Sequence, residues 1–202
     1  ELLPYPYARC MQLALKGELV ACFNTAPNAQ IAVDYLLPKT ALFHDDILLW
    51  ARSAQATPLS GLEQLAGKRV AVTIGYEYGE RFDHNQQLVR VPVRQDRNGF
   101  LMLQRQRVDY VVAYRGTASH LFRQHPELAN QFSPVATVHQ PQLHLSFSRH
   151  AARAAEALQR FEQGMRLIQD NGRYQQILQD WQHGGADSAP PRYTAKSPVA
   201  TP

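Results

Sequence analysis

Three short stretches hold side chains able to recognise a small molecule: "NTAPNA" (24–29), "GYEYG" (75–79) and "YRGT" (114–117). Together they offer phenol rings in Tyr76, Tyr78 and Tyr114, a carboxylate in Glu77, a guanidinium in Arg115, and amide and hydroxyl groups in Asn24 and Thr25. Such a set suits noncovalent recognition, with aromatic faces for the body of a ligand and a few polar groups to orient it. Gly75 frees the backbone at its turn, and the unpaired N–H groups that open a following helix favour an anion or a carbonyl oxygen. Arg115 would hold the same group, with Tyr76 and Tyr114 flanking the ligand. A plainer role is open to each residue. Glu77 can complement a helix dipole, Tyr78 can pack on a sheet, Arg115 can stand in solvent, and Asn24 and Thr25 can cap a turn.

Catalytic chemistry finds less support. Glu77 with His84 or His120 is the one nameable acid–base pair, and His84 reads as a surface-loop residue. "GYEYG" lacks the lysine and Ser/Thr of a phosphate loop, and no GxSxG or HExxH is present. Cys10 and Cys22 form no CxxC and have no nearby histidine pair, so no metal site and no cofactor are expected. A helix followed by a strand usually holds its cysteines too far apart to bridge, so two buried free thiols are expected. The net charge of +4 comes from lysines and arginines scattered among acids, with no aromatic–basic motif, which argues against nucleic acid as a partner. The chain is 45% hydrophobic and 19% charged over 202 residues, enough for one sizeable core or two small lobes. No apolar run reaches the ~18 residues of a membrane span. The opening "ELLPYPYARC" has neither a basic n-region nor an apolar h-region, and a processed or a truncated chain would look the same.

The elements that position these loops follow from periodicity. Residues 7–18 read as an amphipathic helix stopped by Gly17, 19–23 as a short strand and 24–29 as a loop. Strands are expected at 45–53 and 142–149. Between them strands at 68–74, 87–93 and 108–114 alternate with helices at 58–67, from 76, at 95–107 and at 116–125, which implies a parallel sheet. Ser60 is a candidate N-cap for the first of these helices. Ala154, Leu158, Phe161, Met165 and Ile168 recur at helical spacing, Asn171-Gly172 supplies a stop, and 173–182 resumes a helix. Beyond Gly184 the composition collapses to Gly, Ala, Ser and Pro, so 184–202 is expected to be a disordered tail. The chain therefore reads as an α/β protein in which one lobe (54–141) is inserted into another (1–53 and 142–183). Two chain crossings make a hinge, and a cleft lies between the lobes.

The ordered segments "LEQLAGKRVAVTIGYEYGERF", "LMLQRQRVDYVVAYRGTASHLF", "LHLSFSR" and "FEQGMRLIQDNGRYQQILQDW" resemble those of bacterial extracellular solute-binding proteins of family 3. "YPYARCMQLALKGELVACFN" is similar to that family's "PWxRxxxxxxxG…DA" segment, and "IAVDYLLP" to its "xxVDFSxP". The resemblance covers nearly everything before the tail. It implies a two-lobe periplasmic-binding-protein-like (type II) fold, and a periplasmic receptor that closes on a small polar solute and delivers it to an inner-membrane permease of an ABC transporter. It implies no catalysis, no membrane insertion and a monomer. The family opens with a further strand–helix–strand unit absent here, so the first lobe is expected to be incomplete. Its amino-acid receptors carry a carboxylate-gripping arginine where this sequence has Ala29, beside Gln30, and an ammonium-binding aspartate where it has Tyr114. A standard α-amino acid is therefore not the expected solute. Arg9 is expected to brace the first lobe. Two other readings remain: a sensory or interaction module on the same fold, whose partner is a sensor protein, and a cyclohexadienyl-dehydratase-like enzyme.

Overall fold

The computed structural model describes residues 2–182; the expected disordered tail lies outside the described residues. In chain order the elements are α1 (Tyr7–Leu15), β1 (Ala21–Thr25), α2 (Ala29–Asp34), β2 (Tyr35–Leu36), β3 (Phe43–His44), β4 (Ile47–Arg52), β5 (Arg69–Thr73), α3 (Glu80–Asp83), β6 (Val89–Val93), α4 (Asp96–Gln104), β7 (Tyr110–Tyr114), α5 (Arg115–Gln124), β8 (Phe132–His139), β9 (Gln142–Ser148), α6 (Ala154–Asp170) and α7 (Arg173–Gln182). No helix among the described residues is long and apolar enough to cross a membrane.

Two sheets organise these elements. In the first, β1, β2 and β3 each pair antiparallel with β9. The second runs β6-β5-β7-β4-β8; its first three strands are parallel, and β4 lies antiparallel to both β7 and β8. The sequence reading expects a parallel sheet here and gives 45–53 to the first lobe. β4 instead lies inside the second sheet. Its apolar run Ile47–Ala51 is buried throughout, which suits a strand covered on both faces. β8 was not legible as a strand, because Pro134 and the polar half of "FSPVATVH" mask its alternation. The chain therefore passes from the first sheet to the second through residues 45–46 and returns through 140–141.

Several local expectations change for identifiable reasons. Gly75 (φ 83°) and Gly79 (φ 95°) hold 74–79 in an irregular loop, so the helix expected from Tyr76 begins only at Glu80. Residues 62–65 make a single 3₁₀ turn with Gly61 in front of it, and Ser60 is not its cap. Asn24 and Thr25 end β1 instead of opening a loop. The next helix, α2, starts at Asn28, whose side chain accepts the Ile31 N–H at 2.9 Å, the usual way to satisfy an N-terminal donor.

The second lobe has the larger core. One cluster, including Ile47, Leu49, Val70, Tyr78, Phe82 and Val112, lies mainly in this lobe and also takes in Ala26 and Leu143 from the first, and another, including Leu48, Trp50, Phe100, Val111, Leu128 and Phe132, is built from its strands and helices. The first lobe buries only Met11, Ala14, Cys22, Ile31 and Tyr35 as a cluster. A disulfide between Cys10 and Cys22 compensates, and it corrects the expectation of free thiols. The left-handed Gly17 (φ 82°) reverses the chain directly after α1, and Glu18 donates its N–H back to Leu13 at 2.9 Å. β1 is thereby laid beside α1, with the two cysteine Cα atoms 6.0 Å apart, inside bridging range. Closing so short a loop stabilises the fold by about 3 kcal/mol in the chain-entropy treatment. Replacing both cysteines by alanine, or adding a strong reductant, is expected to lower the free energy of unfolding by about 2–3 kcal/mol in urea melts. An unchanged midpoint would show that the bridge contributes nothing.

Candidate functional site

The ends of β5 and β7 lie side by side in the second sheet, so "GYEYG" and Tyr114 meet at one edge. The first turn of α1, from the other lobe, packs directly on this edge. A Cβ added at Gly75 would stand 2.6 Å from the Ala8 Cβ, so only glycine permits the approach. That closeness brings in Tyr7. Its hydroxyl donates to Glu77 Oε2 at 2.9 Å, across 70 residues of chain. Its ring meets Tyr76 edge-on with centroids 5.5 Å apart. Tyr76 in turn contacts Tyr114 at 6.1 Å and Tyr78 at 6.2 Å. The Tyr114 hydroxyl donates to the Glu77 carbonyl at 3.2 Å.

Of the residues singled out from sequence, Tyr76, Glu77 and Tyr114 therefore converge. Tyr78 joins the cluster but belongs to the core at 2% exposure; its hydroxyl accepts the Thr73 N–H at 2.7 Å and its own N–H donates to Asp83 at 3.0 Å. Thr25 is fully buried; its hydroxyl faces the Met11 sulfur at 3.8 Å and hydrogen-bonds Tyr7, so it backs the site. Asn24 is exposed and left-handed (φ 66°). Arg115 is half-exposed, and its guanidinium is engaged by Asp46 through Nη2 at 2.9 Å and Nε at 3.2 Å. Asp46 also accepts from Gln140 at 2.9 Å and pairs with His44 at 3.0 Å. It thus ties the outgoing chain crossing to the returning one, and Gln140 leads the contacts that hold its carboxyl below the usual range. No histidine hydrogen-bonds Glu77 among the described residues, so neither His84 nor His120 completes an acid–base pair with it.

Sequence reasoning missed Tyr7, because an aromatic at a helix start reads as a core or capping residue. The available signal was the similarity of "YPYARC" to a family motif that carries tryptophan nearby. It also missed Asp96, buried at the start of α4 and hydrogen-bonded by the Thr73 hydroxyl.

The electrostatics of the cluster are those of a carboxylate without a cation. Burial pushes the Glu77 carboxyl up to about 7, with the Tyr7 hydroxyl pulling the other way and Asp83 adding to the rise. Burial likewise raises Tyr76, to about 12, and Tyr7 and Tyr114 further. Among the described residues no lysine or arginine pairs with Glu77.

No protein-family model matches the chain, and a search of curated proteins finds no relative. Solved structures do match it in three dimensions. A mutant of ArgBP from T. maritima has a TM-score of 0.78 at 16% identity, covering 91% of this chain and 77% of that one. AbpA from Streptococcus pneumoniae, an amino acid ABC transporter substrate-binding protein bound to L-arginine, gives 0.73 at 13% identity over 90% of this chain and 75% of that one. A histidine kinase sensor domain with similarity to periplasmic binding proteins gives 0.72 at 20% identity over 87% and 75%. The chain has the two-lobe α/β fold of periplasmic-binding-protein-like receptors. At these identities the likeness is one of fold.

Two outcomes follow for the junction. Glu77 binds its proton more tightly when folded than at its ordinary value near 4.5, so its contribution to stability is full below about pH 4.5 and is lost as pH rises to about 7. The difference in unfolding free energy between the wild type and Glu77→Gln should accordingly change by up to about 3 kcal/mol across that window and stay flat above it; parallel pH profiles would refute the assignment. Gly75→Ala meets both a left-handed backbone and the Ala8 Cβ, and is expected to destabilise by about 1–3 kcal/mol or to part the lobes. Denaturant melts and small-angle scattering distinguish these results from a neutral change.

Proposed function

We propose that the protein is a periplasmic solute-binding receptor. It captures a small polar solute between its lobes and presents it to an ABC-transporter permease. The observation that carries this reading is the junction itself. Two lobes joined by two short crossings meet at a cluster of three phenols and one half-buried carboxylate, on the edge where open α/β sheets bind ligands. The structural likeness to substrate-binding proteins of amino acid transporters supports it. The disulfide fits an oxidising compartment. The function needs binding and closure and no covalent chemistry. A sensory role on the same fold is the second reading, favoured by the likeness to a histidine kinase sensor domain.

The solute is not a standard α-amino acid. At the two positions where the resemblance locates charged anchors, Ala29 is exposed at the start of α2, and Tyr114 spends its hydroxyl on the Glu77 carbonyl. Each missing charged hydrogen bond removes roughly 1.5–3 kcal/mol. In a thermal-shift screen, no standard L-amino acid should stabilise the protein substantially at micromolar concentration, whereas a true ligand at about 100 times its Kd adds about 2.7 kcal/mol. A large shift with any common L-amino acid would sink the exclusion.

A further inference from the structure

The junction carries a charge pattern that narrows the solute class, on the reading that this is a receptor. Glu77 is half-buried, and among the described residues the Tyr7 hydroxyl is the one side chain hydrogen-bonded to it, whereas a carboxylate offers about four acceptor positions. The titratable groups that face it are Tyr7 from α1, Tyr76 on its own loop, Tyr114 from β7, Tyr35 from the first sheet and Asp83 from α3. All are phenols or acids. Arg115, the cation that follows Tyr114 in sequence, is engaged by Asp46. A half-buried carboxylate with no cation beside it is disfavoured until it gains a positive partner or a proton. Around it stand Tyr7, Tyr76 and Tyr114, linked through Tyr76 at centroid distances of 5.5 and 6.1 Å. Aromatic faces next to an acid form the environment that attracts an ammonium or guanidinium group.

We propose that the solute is an organic cation without a carboxylate, held by Glu77 and by the rings of Tyr7, Tyr76 and Tyr114. Tyr7 belongs to the first lobe and the other three to the second. Rotation about the 45–46 and 140–141 crossings withdraws the Tyr7 hydroxyl and leaves a carboxylate oxygen for the ligand. Closure then brings the Tyr7 ring over it. Among the described residues no positive side chain is paired with this cluster to meet a ligand carboxylate, which Glu77 repels.

Calorimetric titration of the intact protein at pH 8 and low salt tests this with four probes: agmatine, choline, L-arginine and acetate. Agmatine and L-arginine share a guanidinium and differ by the carboxylate. Agmatine or choline is expected to bind, with L-arginine at least tenfold weaker and acetate silent. Glu77→Gln should weaken the cation at least tenfold while its circular dichroism stays native. Tyr76→Leu keeps the acid, removes the central ring and should also weaken binding, which serves if the first variant does not fold. Equal affinity in both variants, or equal affinity for agmatine and L-arginine, overturns the proposal. A wider screen of neutral and anionic solutes separates it from the receptor reading. Capture of one of those without any cation overturns the cation assignment alone, and no binding by any solute overturns both.

Discussion

The approach of α1 to the loop after β5 governs the rest of the molecule. It exists because Gly75 has no side chain, since any Cβ there would stand inside the Ala8 methyl. With that gap closed, Tyr7 reaches Glu77 and Tyr76, and the lobes share a part-buried polar contact in an aromatic setting. The second lobe brings a large two-sided core to this meeting, and the first brings a small one held by a covalent bridge. Closing rigid parts on each other requires that neither deforms, and the disulfide gives the smaller lobe the stiffness its burial does not supply.

The crossings impose a second constraint. Residues 45–46 and 140–141 are two-residue crossings, a length that favours rotation over sliding wherever two lobes move relative to each other. Asp46 sits in the first crossing and joins Gln140, Arg115 and His44. Arg115 opens α5 on the second lobe, and His44 ends β3 on the first, so the network spans both bodies as well as both crossings. Its members are partly exposed, where such pairs contribute little to stability, and their value lies in fixing geometry.

Much of this was legible in the sequence, and the failures have physical causes. Strands β5 and β7, with helices α4 to α7, follow from short apolar runs and helical periodicity, because local pattern and tertiary burial agree there. β4 was legible as a strand but not as a member of the second sheet, since an apolar run does not name its neighbours. β8 was hidden by Pro134 and by exposed polar positions. The disulfide depended on how sharply Gly17 turns the chain, a property of one backbone angle. In the candidate site, Tyr76, Glu77 and Tyr114 were legible as neighbours because the ends of adjacent parallel strands gather their loops. Tyr78 and Thr25 were named as candidates on the same ground, yet both are buried supports. Tyr7 was missed because its partner lies 70 residues away, and no local rule couples a helix start to a distant glycine loop. Arg115 reads from the sequence as an anion anchor, and its pairing with Asp46 in the crossing lay outside any local pattern.

On the proposed receptor function, the contact between Tyr7 and Glu77 also sets how sensitive the protein is. A solute that must first part them competes with the protein's own hydroxyl, so its apparent Kd is the intrinsic one divided by the fraction of molecules standing open. Each 1.4 kcal/mol by which the empty junction prefers to close raises the half-saturating concentration about tenfold. One phenolic oxygen thus adjusts the concentration range to which the protein responds without touching the ligand's own contacts, and a lineage could retune that threshold by exchanging a single atom on α1.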